Sequence, residues 1–423
     1  MRVGMNCEIS AGVARWKSWL RDLHGGRGIL WFAVTTIYLL EVTYIGAATA
    51  IAQTLPRAMK PEIRRTLSLT SFYDTPNPLP SGKPGDLIRS QPFEEYALPP
   101  GVSAVRILYH SRSATGDDVA ASGVVLFPEE ETPPAGGWPI IAWAHGSRGV
   151  ARRCAPSLMR DLDYGSFLSM YVELGYAVVA TDYTGLGTKF RNAFTDMQSN
   201  AADVIHSIPA ARAAAPQLGR KWVALGASEG SMAVAALAEL ENEIRDANYL
   251  GAVAIAGIAE PKDLYEHLAQ GPSRDMFISL AYGIKTVYPQ FEVGDMLTEQ
   301  GLTLYQQAGE ECGSPNRGAE AATAGMLKPR WEDDQYVKQY FARNTLGQRP
   351  AYGPLLVISG EANPASPTTT AQVIARMCKQ GDRIQFEKYP DPEPGLLAGN
   401  SVMAQITWIK ARFAGAAVPA NCR

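Results

Sequence analysis

Residues 221–234 read Lys-Trp-Val-Ala-Leu-Gly-Ala-Ser-Glu-Gly-Ser-Met-Ala-Val. Trp222 to Leu225 is a short apolar run of strand length, and Gly226 ends it. Ser228 and Gly230 follow, and Ser231 to Leu240 then places apolar residues at helical spacing. Strand, tight turn and helix form the setting in which Gly-x-Ser-x-Gly carries chemistry. Glycines at 226 and 230 allow a sharp turn and a close approach of helix to strand. The turn presents Ser228 as the candidate nucleophile, on strained backbone above the sheet edge. The N–H of Glu229 faces the same space at a helix N-terminus, where orphan donors and the dipole favour a developing anion. The plain alternative is an ordinary turn capped by a serine, and the flanking strand and helix weigh against it.

Working outward, apolar strands alternate with helical segments. Pro139–Ala144 reads as a strand ending in His145-Gly146-Ser147, and Leu162–Leu174 as a helix. Tyr176–Ala180 is the next strand, before Thr181-Asp182-Tyr183 and glycines 185 and 187. Ala201–Ala215 is helical. After the 222–230 elbow come strands at Ala252–Ile258, Leu355–Ser359 and Ile384–Tyr389, with helices at Thr368–Lys379 and Val402–Phe413. Continuous apolar strands separated by helices indicate an α/β fold with a mostly parallel sheet covered on both faces. Two strands at Ser103–Tyr109 and Val119–Phe127, with Thr115-Gly116-Asp117-Asp118 between them, precede it as a hairpin. Residues 53–100, rich in Pro, Gly and Ser, read as a wrapping lead-in that builds no core. The core then spans 101–260 and 353–423. Between its halves, 261–352 lacks a buried strand and holds helical stretches at Asp263–Leu268, Met276–Lys285 and Asp333–Arg343. This interval is expected to be an inserted helical cap, an element that covers sites and lines acyl-binding surfaces, or an insertion without a ligand role.

The 423 residues are 46% apolar with a net charge of −3 and no long run of one sign. That composition suits a large core and argues against nucleic acid as a partner. Five cysteines are too few for a disulfide scaffold and lack the spacing of a metal site. Residues 1–52 differ from the rest: five basic residues up to Arg27, an apolar run from Ile29 to Leu40, then small residues to Ala50-Ile51-Ala52. This is the pattern of an export signal cut after Ala52, giving a secreted or periplasmic protein. The competing reading is an N-terminal membrane anchor, against which Glu41 in mid-span counts several kcal/mol. Met5 is an alternative start.

With these motifs in place the chain resembles the secretory lipase family of α/β-hydrolases. The resemblance extends from about Ser71 to the C-terminus. Its carriers are Phe72-Tyr73-Asp74-Thr75-Pro76, Gly85 to Arg89, Ala144 to Val150 with Cys154-Ala155-Pro156-Ser157, Thr181 to Gly187, the elbow, and Ser359-Gly360-Glu361-Ala362-Asn363-Pro364. It implies an α/β-hydrolase core with a helical lid and cofactor-free hydrolysis of acyl esters, including triacylglycerols. An acyl ester or other hydrophobic small molecule is the expected partner, with a membrane or lipid surface as a further candidate. Oxyanion donors would come from Gly146, Ser147 and Glu229. The resemblance also implies disulfides Cys154–Cys312 and Cys378–Cys422, leaving Cys7 in the leader. Against this stands the residue reading that any of these cysteines is a buried thiol.

A hydrolase of this fold needs Ser, then Asp or Glu, then His, in chain order. The family pattern puts the acid at Asn363 and the base at Pro394, in Tyr389-Pro390-Asp391-Pro392-Glu393-Pro394-Gly395. Proline has no side-chain proton acceptor, and asparagine lacks the charge that supports an imidazolium. The five histidines, His24, His110, His145, His206 and His267, all precede the acid position. Substitutes for the base are His267 from the cap, His206, His145, or a carboxylate at Glu229, Asp391 or Glu393. Asp182 reads as structural or as part of the site floor. In triad proteases, losing the base costs about 10⁶ in turnover and leaves roughly 10³–10⁴ over water. Two readings therefore compete: a family member with weak or lost hydrolysis at Ser228, and a non-catalytic protein that binds an acyl ligand or a protein partner. A third is a membrane-anchored structural or partner-binding protein.

Overall fold

The computed structural model describes residues 66–129, 132–269, 276–310, 312, 325–361, 363–390, 397–418 and 422. The leader 1–52, His24, Cys7, Asp391, Glu393 and Pro394 lie outside the described residues. By contacts, residues Ile63–Arg423 form one unit.

Nine strands form one sheet. They are β1 (Leu87–Pro92), β2 (Val102–Arg112), β3 (Asp118–Pro128), β4 (Trp138–Ala144), β5 (Ala177–Thr181), β6 (Leu218–Ala227), β7 (Tyr249–Ile255), β8 (Leu355–Gly360) and β9 (Ile384–Tyr389). Their order is β1-β2-β3-β5-β4-β6-β7-β8-β9. The β1–β2, β2–β3 and β3–β5 pairs are antiparallel. From β5 through β4, β6, β7 and β8 to β9 every pair is parallel. The parallel strands are apolar because both faces are covered. Ile140, Ala142 and Ala144 of β4 join one core cluster, and Ile141 and Trp143 join the other. β6 repeats the division, with Trp222 and Ala224 on one face and Val223 and Leu225 on the other.

The helices that fix the site are α1 (Gly165–Glu173), α2 (Met197–Ala214) and α3 (Glu229–Ile244). Between β7 and β8 lie α4 (Pro261–Leu268), α5 (Met276–Val287), α6 (Val293–Met296), α7 (Glu299–Glu310) and α8 (Gln335–Arg343). No named strand occurs there among the described residues. Then follow α9 (Pro367–Lys379), α10 (Leu397–Asn400) and α11 (Val402–Phe413).

Two expectations need correction. The lead-in does build core: β1 extends the sheet, and Phe72, Tyr73 and Tyr96 are buried. Its alternation is hidden because β1 is a half-exposed edge strand flanked by Pro and Gly. The strand expected to run to Ile258 stops at Ile255. Ala256 and Gly257 turn to positive φ there, and the Gly257 N–H donates to Ile358 O at 2.7 Å.

One of the places where the helical interval is fastened is the entry to α2. Tyr340 Oη of α8 donates to Phe194 O at 2.5 Å, and Arg343 Nε pairs with Asp196 at 2.6 Å. Asn344 Oδ1 accepts the Met197 N–H at 2.7 Å, and the Tyr265 hydroxyl of α4 lies 3.1 Å from that of Thr195. All four contacts meet the loop that leads into α2.

Candidate active site

Chain order reverses direction at β4, with β5 on one side and β6 on the other. That switch opens a crevice at the carboxyl ends of the two strands. Ala144 pairs with Gly226, so both strands end level. The loop 145–150 and the Ser228 turn therefore face each other across the crevice.

Ser228 has φ 56° and ψ −118°, a conformation that a non-glycine residue adopts only where its surroundings impose it. Its N–H donates to Ile255 O at 2.9 Å, which pins the turn to β7. Ser231 Oγ donates to Ser228 O at 2.6 Å and to Gly257 O. Gly230 is required because a Cβ there would run into the Ala144 carbonyl. Ser228 itself is exposed, and it stands at the N-cap of α3. As the first residue of α3, Glu229 carries an N–H that no carbonyl of its own helix can take.

Strained backbone gathers at this rim. Leu162, Asp163, Tyr183, Thr195, Ser228 and Ala256 all have positive φ. Each lies just beyond a strand or at the mouth of a helix that leads from the crevice, where positioning outweighs conformational ease.

The Glu229 side chain turns away from the nucleophile. Its Oε1 accepts the Thr195 N–H at 2.9 Å and Asn200 Nδ2 at 2.9 Å, and Ser147 adds a side-chain hydrogen bond. Burial raises the pKa of this carboxyl above its ordinary value, and the three donors oppose that shift. The carboxyl is therefore held by donors on two loops and on α2 itself. It ties the 145–150 loop, the Ser228 turn and the entry to α2 together. That entry loop also carries the helical interval.

His145 is buried, with Nδ1 2.7 Å from Gly146 O and Nε2 3.1 Å from Asp182 O. Its ring lies 4.2 Å from that of Tyr183. Burial pulls its pKa down to about 4, while the two carbonyls pull the other way. Two acceptors would suit a doubly protonated ring. The absence of a facing carboxylate at a fully enclosed site favours the neutral form. In either form both ring nitrogens face carbonyls, so neither accepts the Ser228 proton.

The remaining described histidines are placed elsewhere. His206 Nδ1 lies 3.1 Å from Ser111 Oγ on β2, and burial lowers its pKa to about 4. His110 faces Asp118 at 3.1 Å. His267 lies on the exposed side of α4, whose buried face is Pro261, Leu264, Tyr265 and Leu268.

Asp182 is structural. Its Oδ1 accepts the Ser157 N–H at 2.8 Å, and its Oδ2 accepts Ser122 Oγ at 2.6 Å and Ser157 Oγ at 2.5 Å. The buried Arg106, stacked 3.2 Å from the Phe93 ring centroid, lowers the pKa of Asp182 against the dominant effect of burial, which raises it. Only the main chain of Asp182 reaches the site, through His145.

Asn363 follows β8 and is buried. Its N–H donates to Gly360 O at 3.2 Å, and its side-chain Nδ2 has no hydrogen-bond partner among the described residues. A buried amide donor left unpaired costs about 1–3 kcal/mol. Gly257 links this loop to the elbow: its carbonyl accepts from Ser231, and its Cα packs against Ala365 and Thr370. The structure thus brings together Ser228, Gly146, Ser147 and Glu229, and it joins the segment after Asn363 to the Ser228 turn through Gly257.

Sequence reasoning missed Thr195 and Asn200, which hold Glu229, and Tyr164, whose hydroxyl lies beside Gly146. None of the three sits in a motif. The one available signal is the run of small and polar residues around the α2 entry. Among the described residues no group of His, Cys, Asp and Glu is arranged to hold a metal. Cys378 and Cys422 form a disulfide, as expected. Cys154 is buried and Cys312 is exposed, with the Cys312 Sγ 3.5 Å from Arg148 O.

The model of a family described as secretory lipase matches residues 162–420, more than half of the chain. Among solved structures, Candida antarctica lipase A in its closed state superposes with a TM-score of 0.67 at 18% identity, covering 84% of this chain and 87% of that one. A rice cell wall degrading esterase, LipA from Xanthomonas oryzae, gives 0.60 at 18% identity, with 77% and 95% covered. A putative hydrolase from Legionella pneumophila gives 0.66 at 18% identity, with 79% and 100% covered. At these identities the structural likeness speaks for the fold. No curated protein matches the chain in sequence.

Proposed function

The chain belongs to the secretory lipase family, and from that premise we propose that it engages acyl esters at Ser228 with hydrolysis weak or lost. The observation that carries the reading is the fate of the histidines. His145 points both ring nitrogens at carbonyls, His206 and His110 engage β2 and β3, and His267 lies on an exposed helix face. His24 belongs to the leader. The acid position in the family pattern is a buried Asn363 whose amide nitrogen has no partner among the described residues. Pro394 occupies the base position in the family pattern.

The chemistry follows from what remains. Ser228 and the N–H of Glu229 are set for an ester carbonyl and its developing oxyanion, with Gly146 and Ser147 opposite. Without a base, the serine hydroxyl attacks unassisted. On the scale measured in triad proteases that costs about 10⁶ in turnover, and the surviving oxyanion donors and binding keep roughly 10³–10⁴ over water. Proposed with this reading are export by cleavage after Ala52, a cap role for 261–352 over the acyl site, the Cys154–Cys312 bridge, and association with a lipid surface. Among the described residues no helix is long and apolar enough to cross a membrane.

The test uses residues 53–423 with short- and long-chain p-nitrophenyl esters. Wild type is expected to exceed Ser228→Ala by a small factor. The double variant Asn363→Asp with Pro394→His is expected to raise the rate by orders of magnitude. Equal rates for wild type and Ser228→Ala would remove the catalytic reading and leave a binding protein. No gain in the double variant would show that Asn363 and Pro394 are not the lost partners.

A further inference from the structure

The crevice holds one polar group that the family pattern does not account for. Tyr164 precedes α1, directly after Leu162 and Asp163, whose φ values are 50° and 63°. Two consecutive left-handed residues that are not glycine are costly, of order 1–3 kcal/mol each. They bend the chain so that the Tyr164 ring enters the site. There it meets the edge of Trp143 at 5.1 Å between centroids, and the Arg148 guanidinium lies 5.7 Å from the ring centroid. Arg148 is itself ion-paired to Asp163. The ring is therefore held from two sides by the strand and the loop that build the oxyanion wall.

The hydroxyl ends beside the nucleophile. A Cβ placed on Gly146 would lie 3.4 Å from Tyr164 Oη and 3.3 Å from Ser228 Cβ. The phenol and the serine thus both lie against the same glycine. The neighbouring Tyr183 donates its hydroxyl to His145 O at 3.0 Å, whereas the Tyr164 hydroxyl has no hydrogen-bond partner among the described residues. The Ser147 hydroxyl is not available to a ligand, because it is bonded to Glu229.

We propose that Tyr164 is a catalytic residue whose hydroxyl donates a hydrogen bond to the acyl oxygen of a substrate ester bound at Ser228, as a side-chain member of the oxyanion site opposite the Glu229 N–H. This rests on the reading of Ser228 given above. A phenol suits this role because it donates at neutral pH, is rigid, and carries a ring that excludes water from the crevice. It assists charge build-up on the acyl oxygen without taking a proton from the serine, so it operates whether or not a base is present.

The test compares wild type, Tyr164→Phe and Ser228→Ala by two measurements, p-nitrophenyl butyrate hydrolysis and affinity for n-butylboronic acid. The boronic acid takes the Ser228 Oγ lone pair onto boron, the hydroxyl proton leaving to water, and so presents a tetrahedral oxyanion without turnover. Tyr164→Phe keeps the ring against Trp143, so its thermal midpoint is expected to match wild type. Its Ser228-dependent kcat is expected to fall by on the order of 10²-fold with little change in KM, and its boronic acid affinity by about tenfold. If both stay within twofold of wild type while wild type exceeds Ser228→Ala, the Tyr164 proposal fails and the Ser228 reading stands. If wild type equals Ser228→Ala in both measurements, the Ser228 reading fails and this proposal with it.

Discussion

Glu229→Ala is expected to loosen the crevice more than any other single change beside the nucleophile. The carboxylate accepts from the Thr195 N–H, from Asn200 Nδ2 and from Ser147. Truncation strands three enclosed donors, each of which costs about 1–3 kcal/mol when left without an acceptor. Water entering the vacated space recovers part of this, so the net loss is about 3–5 kcal/mol. For the unit Ile63–Arg423, an unfolding entropy of roughly 2.1 cal/mol/K per residue gives about 0.8 kcal/mol per degree. The melting midpoint should then fall by about 4–7 °C. Glu229→Gln separates the hydrogen bonds from the charge. Its amide oxygen accepts from Thr195 and Asn200, and its amide nitrogen donates to Ser147 Oγ. Because burial raises the pKa of this carboxyl, the ionised form is disfavoured in the fold, and the neutral amide should match or exceed wild-type stability at pH 7. Differential scanning calorimetry on the three proteins at equal concentration decides the matter. A Glu229→Ala midpoint within one degree of wild type, or a Glu229→Gln loss as large as that of alanine, would refute the clamp.

Two further stability predictions rest on independent sites. Glu241 is buried in the last turn of α3, where burial lifts its pKa to about 7; the hydrogen bond from the Asp246 N–H opposes that shift, and the Asp246 charge adds to it. Its folded pKa is raised, so stability from the neutral form is full below about 4.5 and is lost as pH rises through 7. Glu241→Gln should therefore match wild type near pH 4.5 and gain up to about 3 kcal/mol above pH 7. A gain that does not vary with pH would refute this. Cys378 and Cys422 are bonded across 44 residues. Chain-entropy scaling gives such a loop about 4 kcal/mol, so Cys378→Ser should lower the urea midpoint. An unchanged midpoint would show that α9 and the C-terminus hold together without the bond.

Much of the architecture was legible because buried parallel strands are written as unbroken apolar runs. β4, β5, β6, β8 and β9 fall within a few residues of their expected positions, as do α9 and α11. β1 was not legible. An edge strand needs only a neighbour's free hydrogen bonds, and it leaves no apolar signature in a Pro- and Gly-rich stretch. The early end of β7 was hidden for a different reason. Ala256 takes positive φ because the next residue must reach Ile358, and no local residue preference announces that need. At the site, the position of Ser228 was legible from two glycines, one of which abuts the Ala144 carbonyl. The direction of the Glu229 side chain was not, since Thr195 and Asn200 reach it from distant sequence.

By itself the sequence determined the alternation of the central strands and helices, the serine at the turn after β6, and the presence of Asn363 and Pro394 where the family pattern leads one to expect an acid and a base. These are properties of residue type and local pattern, and they hold whatever the chain packs against. Only the tertiary structure decided what the histidines and carboxylates do. It turned His145 toward two carbonyls, gave Asp182 to Ser122 and Ser157, aimed Glu229 at the α2 entry loop, and left the Tyr164 hydroxyl beside Gly146. Hydrogen-bond partners are chosen by proximity in space, and burial makes each such choice costly to leave unmade.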